Sequence, residues 1–443
     1  MAKKDLPASR FGRAARMAML GARTGAGWVF DGDGTKTAKA AAGVLGQMRG
    51  LAAKAGQMAS YVDGLVPPDK REAFEIALGA LRAATPASDP EAIRAVVEED
   101  LGAPVGELFA NWEADPFASA SIGQVHRATL QDGTEVAVKV QHPGIDRAVE
   151  SDLKNAGLMA SMKAFAFGAK MGIKEGMDEM SQVFREELDY ALEADRQERF
   201  AELYADGEHI RIPAVVRERS SKRVLTTVMV HGKTFEEACA SDDALKTRWA
   251  EVLWRFVIHS TIVGGVFNGD PHPGNFIFHD DGSVTALDFG CVIEIPPERR
   301  AISRALHTAA LTGDLNGFYT ASRQMMQMPA DEGPPREDEP LFHQLVLKFC
   351  RRLFDPIWHS PYRVSHEWAA SLVDDCMTMA KKAIRTKADD MITMPEGMVF
   401  LNRLQFGFYS VLARFDVPVD YAAVEREVLG IEPVETPVAS ATP

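Results

Sequence analysis

The chain has 443 residues, of which 46% are apolar and 25% charged, and its formal net charge is −14. The length exceeds what one compact core usually organises, so two or three structural units are expected. The acid excess argues against a nucleic-acid binder held by a broad basic face and against general adhesion to anionic lipid, local basic patches aside.

Residues 1–39 are basic and rich in small side chains, and read as a flexible, solvated arm. An amphipathic stretch at Phe11–Leu20 leaves reversible contact with a membrane surface open. Ala40–Tyr61 reads as an alanine-rich helix stopped by Pro67-Pro68, and Lys70–Ala84 as a second helix. Asp89–Asp100 reads as a third, with Asp89 as N-cap and Pro90 in the first helical position. Residues 40–110 therefore form a helical extension.

At Asn111 the pattern changes. Ser121–Leu130 and Thr134–Gln141 read as strands, and the Asp132-Gly133 pair between them is a strong hairpin signal. Helices follow at about 145–172 and 175–205, then strands at Ile210–Val216 and Arg223–Val230. A long helix is expected over Asp243–Phe267, followed by short strands at Phe276–Phe278 and Val284–Leu287 around Asp281-Gly282. From Pro297 to about residue 430 the chain reads as helical, interrupted by an acidic, proline-rich surface loop at 329–340. Residues 431–443 read as a disordered tail.

The most apolar stretches are Ala156–Ile173, which contains Lys163 and Lys170, and Val252–Phe267, which contains Arg255 and His259. Neither resembles a membrane span, which needs about 20 nearly uncharged residues. Cys239, Cys291, Cys350 and Cys376 show no C-x-x-C spacing. Neither a zinc site nor a disulfide framework is suggested, and a reducing cytoplasm fits best.

Four elements carry chemistry in a fixed order. They are V-A-V-K with Lys139, E-E-L-D-Y-A-L-E-A-D with Glu187, Asp189 and Glu193, N-G-D-P-H-P-G-N-F with Asp270 and Asn275, and A-L-D-F-G with Asp288. Each one alone has a bland reading as a strand end, a solvated helix face, a loop or a turn. Together and in this order they match what phosphoryl transfer needs, which is mainly positioning and charge neutralisation. Lys139 on a strand can reach ATP phosphates if a helix glutamate holds it. Asp270 and Asn275 have D-x-x-x-x-N spacing, in which the aspartate orients or deprotonates a nucleophile and the asparagine ligates Mg²⁺. Asp288 supplies the second metal-binding side chain, and Mg²⁺ commonly uses only one or two protein ligands beside phosphates and water. On one helix Asp189 and Glu193, four apart, share a face, whereas Glu187 and Glu193, six apart, diverge. The expectation is that Glu193 holds Lys139 and that Glu187 serves a different partner.

These motifs resemble the UbiB (AarF-like) family of atypical protein-kinase-like proteins, which is associated with ubiquinone synthesis and lipid metabolism. The likeness spans roughly residues 40–300. It rests on K-x-G-Q (Lys54-Ala55-Gly56-Gln57), on P-F-A-S-A-S-I-G-Q-V-H at Pro116–His126 in place of a glycine-rich loop, and on E-x-D (Glu187-Leu188-Asp189). The resemblance implies an α+β, two-lobed atypical-kinase fold with an N-terminal helical extension over the active site, an N-lobe at 111–230 and a mostly helical C-lobe at 231–430. It implies ATP and Mg²⁺ as cofactors, with ATPase activity more readily than protein phosphorylation. The loop Ala118, Ser119, Ala120 and Ser121 would contact ATP. Lys54, Gln57, Glu187 and Asp189 would restrict substrate access, and Lys54 would pair with Glu187 or Asp189 or face the phosphates.

The sequence departs from the family pattern in three places. Ser119 replaces an alanine, Val228 stands where the hinge usually has glutamate, and no C-terminal pair of membrane spans is seen. The expected partners are therefore ATP and a quinone precursor or isoprenoid lipid, without nucleic acid. The expected location is cytoplasmic, with peripheral contact at the inner face of a membrane through the N-terminal region. Two other readings stay open: a small-molecule phosphotransferase, which shares most of N-G-D-P-H-P-G-N, and a nucleotide-gated lipid-binding scaffold without turnover.

Overall fold

The computed structural model describes residues 87–120, 122–151, 153, 181–205, 207, 209–270, 272–329, 331–383, 386, 392 and 398–432. Lys54, Gln57 and Ser121, the arm, and the first two expected helices lie outside them. So do most of the expected 145–172 helix and nearly all of the tail.

Helix α1 (Pro90–Leu101) begins as its sequence dictates. The Asp89 carboxylate accepts from the Glu91 N–H at 3.1 Å and Pro90 takes the first position. Its apolar stripe, Ile93, Val96 and Val97, is buried, and α2 (Val105–Leu108) follows. Both helices pack on a sheet, since Ile93, Val96, Val97, Val105 and Leu108 share one core cluster with Val136, Val138, Val140 and Val224.

That sheet contains β1 (Asn111–Trp112), β2 (Ala118–Ser119), β3 (Gly123–Thr129) and β4 (Glu135–Gln141). After them come α3 (Tyr190–Leu203), β5 (Ile210–Arg211) and β6 (Val224–Val228). The strand order is β1-β3-β4-β6, with β2 also on β3, and all pairings are antiparallel. In the β3–β4 hairpin Gly133, at φ +90°, makes the turn that the Asp-Gly pair announced.

The period of two along β4 explains the lysine among valines. Val136, Val138 and Val140 are all fully buried against α1, while Ala137 and Lys139 are only half-buried. Successive side chains point to opposite faces, so Lys139 leaves the sheet on the side away from the α1 core. Each valine contributes about 1.5–3 kcal/mol by burial, which fixes the register, and the register aims the lysine. Lys139 lies between Val125 of β3 and Leu225 of β6.

The second lobe holds α4 (Phe235–Cys239), α5 (Asp243–Ile258), β7 (Val266–Asn268), β8 (Phe276–Phe278), β9 (Val284–Ala286) and β10 (Val292–Glu294). Strands β5, β9 and β8 form one small sheet, and β7 pairs antiparallel with β10. Helices α6 (Pro297–Thr312), α7 (Leu315–Met325), α8 (Leu341–Leu353), α9 (Asp355–Trp358), α10 (His366–Ala383), α11 (Met398–Phe415) and α12 (Tyr421–Leu429) complete it. Their core includes Trp249, Phe278 and Phe415, with edge-on ring contacts between Trp249 and Phe278 at 5.4 Å and between Phe278 and Phe415 at 5.7 Å. The mixed helix-and-strand, kinase-like architecture expected from the sequence is present.

Two expected helices are corrected. The Asp243–Phe267 helix ends at Ile258, passes through a π-helical turn at His259–Val263, and gives way to β7. Gly264 and Gly265, the latter at φ +65°, turn the chain, and Val266–Asn268 pairs with β10 instead of continuing the helix. The 175–205 helix is broken at Glu187–Asp189, and α3 starts afresh at Tyr190. The 329–340 loop is on the surface but pinned. Buried Arg323 on α7 meets Glu339 at 2.7 Å and 3.2 Å through two guanidinium nitrogens. Among the described residues no helix is long and apolar enough to cross a membrane.

Candidate active site

The site is built from β4, α3 and the loops that follow β7 and β9. Lys139 Nζ donates to both oxygens of Glu193, at 2.7 Å and 3.0 Å, and to Asp288 Oδ2 at 3.1 Å. Glu193 is buried, in the first turn of α3, and Asp288 follows β9. The side chains retain 17% exposure at Lys139, 3% at Glu193 and 28% at Asp288, so the cluster opens to solvent on the aspartate side. Its ammonium also lies 5.0 Å from the Tyr190 ring centroid, within cation–π range.

Among the described residues one ammonium faces two carboxylates in a largely dry setting. Burial raises the Glu193 carboxyl most. Lys139 pulls the other way and Asp288 and Glu187 add to the rise, leaving it at about 6. Burial works against the charge on Lys139, but Asp288 and then Glu193 outweigh it and hold its pKa well above the ordinary lysine value. Burial also drives the Tyr190 hydroxyl far above its usual range.

The loop after β7 reaches the same place. Asp270 N–H donates to Asn268 Oδ1 at 3.1 Å, and Asn275 Nδ2 donates to the Asp270 carbonyl at 3.0 Å. With its amide nitrogen engaged on the backbone, Asn275 keeps its side-chain oxygen for another partner. Asn268 Nδ2 donates to the Asp288 carbonyl at 2.8 Å, and the Leu287 N–H to the Asn275 carbonyl at 2.9 Å. Asp270, Asn275 and Asp288 are thus locked into one backbone framework. Among the described residues no group of three or more His, Cys, Asp or Glu side chains forms a self-sufficient metal cage. An amide oxygen and a carboxylate, next to a lysine, suit a hard cation that brings its remaining oxygens from phosphates and water.

The E-L-D turn behaves differently from the single-helix expectation. Asp189 caps α3, its carboxylate accepting from the N–H groups of Ala191 at 3.1 Å and Leu192 at 3.3 Å. It is the helix start, not a point on the Glu193 face. Glu187 lies before the cap and is 5% exposed, and its charge reaches Glu193 and Tyr190. The solvated reading of Glu187 is excluded. A pairing with Lys54 lies outside the described residues.

The S-I-G-Q-V-H segment is mostly structural. Ala118 and Ser119 form β2 opposite Val125 and Gln124, and Ala120 N–H donates to the Gly123 carbonyl at 2.9 Å. A side chain at Gly123 would meet the Val140 carbonyl at 2.4 Å, which explains the glycine. Gln124 and His126 are buried. Gln124 Oε1 accepts from the Ser88 N–H at 2.8 Å, and Gln124 Nε2 donates to His126 Nε2 at 2.9 Å. His126 Nδ1 donates to the Glu113 carbonyl at 2.9 Å while its ring stacks on Trp112 at 4.7 Å. Burial lowers the His126 pKa, in keeping with this neutral tautomer. The motif ties the chain ahead of α1 to the sheet. At the hinge, Val228 pairs with Val136 at the end of β6, and His231 Nε2 lies 2.9 Å from Glu135 Oε2.

Sequence reasoning missed several contributors. Arg196 and Phe200 carry no motif signature, and Tyr190 and Phe289 stand inside quoted motifs without being singled out. Asn268, in N-G-D-P-H-P-G-N, was assigned no role either, although its side chain bridges Asp270 and Asp288.

A family profile described as the ABC1 atypical kinase-like domain matches residues 80–322. The chain is 30% identical over 318 residues to "Probable protein kinase UbiB" of Marinobacter nauticus, an alignment covering 68% of this chain and 55% of that protein. It is 34% identical over 251 residues to the mitochondrial atypical kinase COQ8B of Rattus norvegicus, covering 55% and 46% respectively. Against these two curated relatives the chain spans about half of their length. The solved complex of Rv3197 with erythromycin from Mycobacterium tuberculosis superposes with a TM-score of 0.60 at 26% identity, covering 88% of this chain and 95% of that one.

Proposed function

Because the chain belongs to the ABC1 atypical kinase-like family, we propose that it binds ATP with Mg²⁺ and transfers or hydrolyses the terminal phosphoryl group. The observation that carries this reading is Lys139 held between Glu193 and Asp288 at 2.7 Å and 3.1 Å, beside the loop bearing Asp270 and Asn275. Asn275 and Asp288 would hold Mg²⁺, which when bound screens phosphate charge. Lys139 contacts the phosphates, and Glu193 keeps the lysine extended toward the cleft. Asp270 orients the attacking hydroxyl or water and accepts its proton. Loop 118–121 covers the nucleotide, and Lys54, Gln57 and Glu187 limit access, so that ATP hydrolysis outweighs protein phosphorylation. A lipid or quinone-precursor role is proposed from the family resemblance, and peripheral membrane contact from the amphipathic stretch at Phe11–Leu20.

The test is Asp288→Asn. It should abolish Mg-ATP-dependent thermal stabilisation and phosphate release, and full retention of both would sink the metal assignment. A second reading, transfer to a small-molecule hydroxyl, draws on the N-G-D-P-H-P-G-N loop and on the erythromycin bound to the M. tuberculosis neighbour. Labelled γ-phosphate appearing on a metabolite pool would favour it; phosphate release without acceptor labelling would favour the ATPase.

A further inference from the structure

Three consecutive residues of D-F-G are each gripped through α3. Asp288 is reached through Lys139, which Glu193 holds. Fully buried Phe289 packs on Phe200, ring centroids 4.9 Å apart. The Gly290 carbonyl accepts from Arg196 Nη1 at 3.0 Å. Glu193, Arg196 and Phe200 are spaced i, i+3, i+7, the spacing of a single helical face.

The Gly290 contact bears directly on the aspartate. The same residue's N–H donates to Asp288 Oδ1 at 3.0 Å, which leaves Oδ2 for Lys139. One side of Gly290 therefore sets the Asp288 rotamer and the other is anchored by a guanidinium. Arg196 is itself oriented by Glu186, the residue before Glu187, through its second terminal nitrogen, and its side chain is only 16% exposed. The E-E pair thus divides: Glu186 serves Arg196, while Glu187 is buried toward the Lys139 cluster.

We propose that Arg196 is a positioning residue for the metal-binding aspartate, acting through Gly290 and oriented by Glu186. A bond from a charged donor to a carbonyl is stronger than a neutral one, and groups that orient a ligand typically affect metal affinity about 10–100-fold. The planar guanidinium reaches Gly290 and Glu186 at once; a lysine ammonium at the same place lacks that fork. This inference rests on the reading that Asp288 binds Mg²⁺.

The experiment follows a fluorescent ATP analogue at fixed concentration while Mg²⁺ is titrated, for the full chain and for Arg196→Gln, Arg196→Lys, Glu186→Gln and Asp288→Asn. Arg196→Gln should raise the Mg²⁺ concentration for half-maximal binding about 10–100-fold and leave Mg²⁺-free binding unchanged. Arg196→Lys and Glu186→Gln should fall between it and the parent. If Arg196→Gln only lowers the melting temperature while the Mg²⁺ midpoint stays at the parent value, the arginine merely packs and the proposal is overturned. If Arg196→Gln does not fold, Glu186→Gln decides: an unmoved midpoint overturns the proposal. A parent protein whose binding ignores both Mg²⁺ and Asp288→Asn would instead overturn the underlying metal reading.

Discussion

Replacing Glu193 by glutamine separates the energetics of the site from its function. The side chain is isosteric, so the change removes charge and little volume. Burial disfavours the ionised carboxylate most, Lys139 offsets part of that, and the net rise from the ordinary 4.5 to about 6 corresponds to about 2 kcal/mol against folding above pH 6. Glutamine removes that net cost, in which the pull of Lys139 is already contained. Lys139 is not orphaned, because Asp288 stays at 3.1 Å, so the larger penalty of an unpaired buried charge does not apply. Glu193→Gln should therefore be more stable than the parent at pH 8, by up to about 2 kcal/mol. Nucleotide binding should suffer instead, because the lysine is then drawn to Asp288 alone and competes with the metal. A loss of about 10- to 100-fold in Mg-ATP affinity is expected, at 1.4 kcal/mol per tenfold.

The pH dependence has a definite sign. The folded-state pKa of Glu193 is raised, so the stabilisation from its protonated form is fully present below about 4.5 and is lost as pH rises through about 6. The stability of the parent relative to Glu193→Gln should therefore decline across that window. Binding runs the other way. Protonation as pH falls through about 6 frees Lys139, so the parent should lose Mg-ATP affinity there while Glu193→Gln shows no such limb. Urea unfolding and nucleotide titration from pH 5 to 8 measure both. A net loss of stability at pH 8, or wild-type affinity in the variant, would refute the reasoning.

Two further changes probe the frame around the site. Phe289→Ala removes a fully buried ring between the D-F-G turn and Phe200 and should cost about 3–5 kcal/mol in urea unfolding; a loss under 1 kcal/mol would mean that the ring does not anchor the turn. Arg323→Ala leaves the Glu339 carboxylate, 7% exposed, without its guanidinium and should also cost about 3–5 kcal/mol. The 329–340 loop should then become the first site of limited proteolysis, and an unchanged cleavage pattern would contradict its pinning by that pair.

Local chemistry was legible in the sequence. Asp89 with Pro90, the Asp132-Gly133 turn and the alternation Val136, Val138, Val140 act over a few residues, so helix start, hairpin and lysine direction could be read before any fold was known. The order of V-A-V-K, the glutamate, D-x-x-x-x-N and D-F-G likewise marked the candidate residues, of which the fold brings Lys139, Glu193 and Asp288 into contact. The errors arose where distant partners decide. The run from 175 to 205 has helical composition throughout, yet Asp189 takes two backbone N–H groups as a cap and the helix restarts. Val266–Asn268 looks like the end of an apolar helix, yet it becomes a strand because Val292–Glu294 lies beside it.

By itself, then, the sequence determined which groups are present and which short elements carry them, because caps, turns and alternation depend on neighbours along the chain. Only the tertiary structure decided that Lys139 is shared between Glu193 and Asp288, that Asn268 bridges the two loops, and that Arg196 holds Gly290. Those contacts join residues 20 to 149 positions apart. Their distances are set by how β4, α3 and the β7–β9 loops pack, which no local pattern encodes.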